Sequence, residues 1–167
     1  MFPQELVQRM HEVFKLCRQH GLKIATAESC TGGLLAALMT DIPGASEVLE
    51  RGFVTYSNES KIEQLTVPTY FIDDYGAVSL QTAIAMAEGA LLVARADIAV
   101  AITGIAGPEG GSDEKPVGTV FIAVAKRGVE SVCKQFHFSG SRHSVRLKTL
   151  DAALEMMQES VVMVDAA

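Results

Sequence analysis

Apolar positions along this chain follow two rhythms, a step of three to four residues and short unbroken runs. Leu6, Met10, Val13 and Cys17 recur at helical spacing with charged residues between them, and Gly21 ends the run. That pattern predicts an amphipathic opening helix. Leu22–Ala27 reads as a buried strand, Leu34–Met39 as a short helix, and Asp41-Ile-Pro-Gly44 as a loop. Phe53-Val-Thr-Tyr56 predicts the next strand, followed by a helix capped at Ser57-Asn58 and carrying Lys61 and Leu65. Pro68 breaks the chain, and Tyr70–Gly76 fits a short helix or a loop equally well.

Leu80, Ile84, Ala87 and Leu91 step by four, three and four, which predicts a helix over residues 79–94. Ile98–Thr103 is a continuous apolar run, the mark of a strand covered on both faces. Val117–Ala125 and Val129–Phe138 read as two strands joined by a tight turn at Lys126-Arg127-Gly128, an antiparallel hairpin. Leu147, Leu150, Leu154, Met157 and Val161 form a long closing helix. The order of elements predicts a single α/β domain over residues 1–167. Its expected form is a three-layer α/β/α sandwich whose mixed, mostly parallel sheet ends in an antiparallel hairpin.

Composition narrows the function classes. The chain has 167 residues, 49% of them hydrophobic and 20% charged, as expected for a globular domain with a full core. The apolar runs are too short to span a bilayer, and the N-terminus lacks a signal-peptide pattern, so a cytoplasmic location is expected. A net charge of −6 without a dense basic block argues against nucleic acid as a partner. Cys17, Cys30 and Cys133 form neither a disulfide framework nor a Cys-x-x-Cys pair. Cys17 and Cys133 read as packing residues, which leaves Cys30 as the cysteine with a functional reading. His11, His20, His137 and His143 show no metal-ligand spacing, so no metal site is expected.

The candidate chemistry centres on Thr26-Ala-Glu-Ser-Cys-Thr-Gly-Gly33, where a strand gives way to a polar turn and then a helix. Ser29 is exposed there at the carboxyl edge of the sheet, where ligands collect in α/β folds. It reads either as a helix N-cap or as a nucleophile with free backbone N–H groups beside it. A Ser-His-Asp triad would need His143, and no Gly-x-Ser-x-Gly elbow surrounds Ser29. A lysine whose pKa is lowered by burial is the other available base. Lys61 is the better placed and Lys115 its rival, although spacing alone also allows Lys61 to be a solvated surface residue. Tyr56, Ser57 and Asn58 supply nearby polar groups.

Ile102-Thr-Gly-Ile-Ala-Gly-Pro108 also begins at the end of a buried strand, either as a flexible connection or as a backbone cradle for an oxyanion or phosphate. It is neither a Walker motif nor a dinucleotide fingerprint. Arg142 and Arg146, four apart on the closing helix, suit either a phosphate or surface salt bridges.

Five stretches, in order and across nearly the whole chain, resemble the CinA C-terminal domain family. They are Thr26–Gly33, Gly52-Phe-Val-Thr-Tyr-Ser-Asn-Glu-Ser-Lys61, Gly76-Ala-Val-Ser79, Ala101–Pro108 and Lys115-Pro-Val-Gly-Thr119. The resemblance implies an α/β/α amidase that converts nicotinamide mononucleotide to nicotinate mononucleotide and ammonia without a cofactor. It implies Ser29 as nucleophile and Lys61 as base, with Tyr56 assisting. Substrate would meet Cys30, Thr31, Gly32, Thr103 and Gly104, with Arg142 or Arg146 on the phosphate.

Arg51, Tyr75 and Leu80-Gln81 depart from the family's usual pattern, and Tyr75 bears on the pocket rim. The expected architecture is that of a stand-alone amidase, acting on a small pyridine mononucleotide and forming a dimer through apolar helix faces. The reading from another class is a binding domain that keeps the pocket to sense nucleotide or to dock a partner in competence or damage responses.

Overall fold

Helix α1 (Gln4–His20) and strand β1 (Ile24–Glu28) open the chain in the computed structural model, which describes residues 1–162. Then come α2 (Leu34–Thr40), β2 (Leu49–Val54), α3 (Asn58–Leu65), α4 (Thr69–Tyr75), α5 (Leu80–Val93) and β3 (Ile98–Gly104). The hairpin β4 (Thr119–Lys126) and β5 (Val129–His137) leads to α6 (Arg142–Val162). The sheet runs β2-β1-β3-β4-β5. β1 pairs parallel with both β2 and β3, while β4 is antiparallel to β3 and to β5. This is the mixed sheet that the element order predicts, with helices on both faces.

The two faces of the sheet differ in side-chain size. Ile24, Ile98, Val100, Ile102, Val120, Ile122 and Val124 point into one core with Phe14, Met10 and Leu150 of α1 and α6. Ala25, Ala27, Ala99, Ala101, Ala123 and Ala125 point into the other, under α5. Strand residues alternate between faces, so every second position meets the same helix layer. Alanines on the α5 side allow close helix approach. α5 answers with Ala83, Ala87, Gly89 and Ala90, and a Cβ at Gly89 would lie 1.8 Å from the Leu65 carbonyl oxygen.

Two local expectations change. The second strand begins at Leu49 and ends at Val54, so Thr55 and Tyr56 lie beyond it. β2 is an edge strand with half-exposed residues, so Glu50-Arg51-Gly52 hid its beginning behind a polar stretch. The ambiguous segment at Tyr70–Gly76 is helical as α4, ending on Gly76. Among the described residues no helix is long and apolar enough to cross a membrane.

The topology also places the site. The chain leaves β1 toward α2 in one core and leaves β2 toward α3 in the other. Adjacent parallel strands whose connections diverge to opposite faces open a crevice at their carboxyl ends.

Candidate active site

Ser29 is the first residue past β1. Its N–H donates to the Ile102 carbonyl (3.0 Å), and its own carbonyl accepts from the Gly32 N–H (2.9 Å), closing a tight turn. Gly32 and Gly33 adopt φ of 59° and 91°, the left-handed region that glycine enters without strain. The N-cap reading of Ser29 fails on geometry: α2 begins after Gly33, and no side chain caps it from that position. Glu28 does the capping. Its Oε2 accepts from the amides of Gly33 (3.1 Å) and Leu35 (3.0 Å), and its Oε1 from Ala36 (2.9 Å). The Ser29 hydroxyl is thereby left for other work.

Lys61 supplies its partner. Ser57 caps α3 by accepting from the Ser60 amide (3.1 Å), and one helical turn places Lys61 and Leu65 on the buried face. Lys61 is 1% exposed. Its Nζ donates to Ser29 Oγ (3.1 Å) and to the Thr55 carbonyl (2.7 Å). Thr55 is fixed in turn, because its N–H donates to the Glu28 carbonyl (2.9 Å). Burial holds the Lys61 ammonium below its ordinary pKa of 10.5, since a charged amine loses its hydration there. The solvated-surface reading of Lys61 is therefore excluded.

Cys30 sits beside this pair with the opposite tuning. Burial, with a smaller contribution from the Glu28 charge and opposed by its own backbone amide, Arg146 and Arg142, pushes its thiol up to about 11. A protonated thiol is a poor nucleophile.

Ser29, Cys30, Tyr56, Asn58 and Lys61 line one side of a cleft of about 280 Å³, and Thr103–Gly107, Glu109 and Gly110 line much of the other. Arg142 bridges the two sides: Nη1 donates to the Gly107 carbonyl (2.8 Å) and Nη2 to the Tyr56 hydroxyl (3.0 Å). Thr103 is buried, and its hydroxyl donates to the Ala77 carbonyl (2.7 Å), tying β3 to the start of α5. At Gly104 a Cβ would meet the Thr119 carbonyl oxygen at 2.9 Å, so β4 packing already calls for glycine there.

Not every residue named from sequence joins this group. Thr31 is fully buried, and Thr31, Gly32 and Arg146 are not among the cleft-lining residues. Arg146 Nη2 donates to the Thr31 carbonyl (2.8 Å), which makes it a brace behind the turn. His143 is exposed and lies outside the cleft lining. Lys115 donates to the Tyr75 carbonyl (2.6 Å), holding the glycine-rich loop against the end of α4. Sequence reasoning gave Glu28 no role. Its signal was a lone carboxylate closing an apolar strand just before a glycine turn.

The comparisons with known proteins agree with one another. The CinA C-terminal domain family matches residues 7–161. A putative competence-damage inducible protein of Caldicellulosiruptor bescii is 49% identical over 151 residues, covering 90% of this chain and 36% of that protein. The chain thus spans about a third of the length of such relatives. The nicotinamide-nucleotide amidohydrolase PncC of Escherichia coli (strain K12) is 47% identical over 157 residues, covering 94% of this chain and 95% of that protein. The crystal structure of competence/damage inducible protein CihA from Agrobacterium tumefaciens superposes with a TM-score of 0.93 at 45% identity, covering 95% of this chain and 97% of that one.

Proposed function

The chain belongs to the CinA C-terminal domain family, and from that premise we propose that it hydrolyses the carboxamide of a nicotinamide nucleotide, with nicotinamide mononucleotide as substrate. The observation that carries this reading is the 3.1 Å contact between Lys61 Nζ and Ser29 Oγ at the floor of the cleft. The E. coli relative, a nicotinamide-nucleotide amidohydrolase, supports the substrate class.

The chemistry follows from the two groups. With its pKa lowered, Lys61 is neutral in a larger fraction of molecules, and the Ser29 hydroxyl can then donate to the Nζ lone pair. Ser29 Oγ gives its proton to Nζ and attacks the carboxamide carbon, so the C=O becomes an oxyanion. Backbone N–H groups of the turn after Ser29, that of Cys30 among them, are assigned to the developing oxyanion, since Cys30 lines the cleft beside Ser29. Collapse of the intermediate breaks the C–N bond, and the Lys61 ammonium returns its proton to the departing nitrogen as ammonia leaves. A water then gives a proton to Lys61 and attacks the acyl carbon, and as the Oγ–acyl bond breaks Lys61 returns that proton to Ser29 Oγ, releasing the nicotinate nucleotide and regenerating the serine. Tyr56 and Arg142 form the rim on which the nucleotide phosphate rests.

The test is ammonia release by the purified chain from nicotinamide mononucleotide, free nicotinamide and unrelated primary amides. Preference for the mononucleotide is the expected result. A chain that binds the mononucleotide but releases no ammonia from it would be a sensor, and the hydrolase reading would fall.

A further inference from the structure

Glu28 is the only buried acidic residue among those described. A carboxylate in that position is worth keeping only where its hydrogen bonds repay desolvation. It holds three amides at the start of α2, at 3.1, 3.0 and 2.9 Å. Charge-assisted bonds to a helix N-terminus are the strong kind. Its backbone is fixed as well: the Glu28 carbonyl accepts from Thr55, and the next amide, that of Ser29, donates to Ile102. Glu28 and the Ser29 amide together therefore tie α2 to the segment just past β2 and to β3, with the Ser29 turn held between these anchors.

We propose that Glu28 is a positioning residue for hydrolysis at Ser29, taking over the capping of α2 so that the serine hydroxyl faces Lys61. This rests on the amidase reading above. The argument is one of competition. The first amides of any helix need acceptors, and serine and threonine hydroxyls are among the usual ones. Ser29 and Thr31 both lie within the turn, and the buried Thr31 hydroxyl has no hydrogen-bond partner among the described residues. Without the carboxylate, α2 would draw on these hydroxyls and turn Ser29 Oγ away from Lys61 Nζ. The Glu28 backbone also reaches the base, since Thr55 links the Glu28 carbonyl at its N–H to Lys61 Nζ at its C=O.

The test uses the full chain with Glu28→Gln, which keeps the shape but weakens the cap, and Glu28→Asp, which keeps the charge one methylene short. Far-UV circular dichroism reports the fold, and ammonia release from nicotinamide mononucleotide gives kcat and KM. The labelling rate of Ser29 by a fluorophosphonate, read by mass spectrometry, reports nucleophile geometry independently of substrate. The expected result is native helix content, KM within about threefold, and kcat and labelling both down roughly ten- to a hundredfold in the Gln variant. A smaller loss is expected in the Asp variant. A folded Gln variant with kcat and labelling within twofold of wild type overturns the proposal, as does a loss carried wholly by KM. Should the Gln variant not fold, wild-type kcat and labelling in the Asp variant overturn it equally. A wild-type chain without amidase activity removes the functional reading alone, and the labelling ratio still decides the role of Glu28.

Discussion

The carboxyl edge of β1 and the middle of β3 are both buried, yet they hold opposite kinds of groups. β3 is apolar from Ile98 to Ile102, with branched residues toward α1 and α6 and alanines toward α5. Around the end of β1 lie Glu28, Ser29, Thr31, Thr55 and Lys61, all buried and all polar. Burial of the first set drives folding. Burial of the second opposes it, and every bond found there, from Glu28 to the α2 amides and from Lys61 to Thr55, offsets desolvation. The interior thus supplies the stability that the site consumes, and substitutions should separate the two.

The largest effect should come from Ser29→Ala. Ammonia release falls at least about 10⁴-fold, on the order of 5.5 kcal/mol of transition-state stabilisation. The thermal midpoint stays near wild type, because Ser29 caps no helix. A large drop in midpoint would mean that the hydroxyl holds the fold, and the division between the two regions would fail.

Lys61→Met should lower turnover about 10³-fold, the scale of general base catalysis. The same change should raise the thermal midpoint, since it replaces a buried amine by an apolar chain of similar length. Loss of both activity and stability would show that Lys61 supports the fold more than burial penalises it.

Leu150→Ala acts in the other region. Leu150 is fully buried against the branched face of the sheet, and its truncation should cost about 2–5 kcal/mol in denaturant unfolding. Turnover of the molecules that remain folded should stay within about threefold of wild type.

The smallest effect is a pH dependence. The folded pKa of Lys61 lies below 10.5, so between that lowered value and 10.5 the unfolded chain binds more protons than the folded one. Stability from this residue therefore rises with pH through that window, and the penalty is full below it. The stability gap between Lys61→Met and wild type should narrow as pH climbs toward 10.5. The comparison must be a difference, because the buried thiols of Cys17 and Cys30, raised to about 12 and about 11, lower stability as pH rises past the unfolded thiol pKa. In the same window kcat/KM should rise with an apparent pKa below that of free lysine. A flat profile would mean that Lys61 does not gate the reaction.

Much of the fold could be read along the chain, because each element carries its own periodicity. The steps Leu6-Met10-Val13-Cys17 and Leu80-Ile84-Ala87-Leu91 and the run Ile98–Thr103 fall within α1, α5 and β3. The start of β2 was not legible, because an edge strand has no continuous apolar run to mark it. Ser29 and Lys61 were legible as candidates, being polar residues just past apolar runs. Their contact was not, since 32 residues separate them. It depends on the parallel register that sets Glu28 opposite Val54 and so brings Thr55 beside the serine turn.

Which stretches become helices and strands is already set along the chain, because local hydrophobic spacing selects the face that must be covered. So are the residue types that stand at the strand ends. What those residues do depends on the packed fold. A carboxylate can cap a helix, a lysine can lose its hydration and an arginine can brace either a cleft or a turn only when distant backbone closes around it. That is how capping passed from Ser29 to Glu28, and how Arg142 came to the rim of the cleft while Arg146 went behind it.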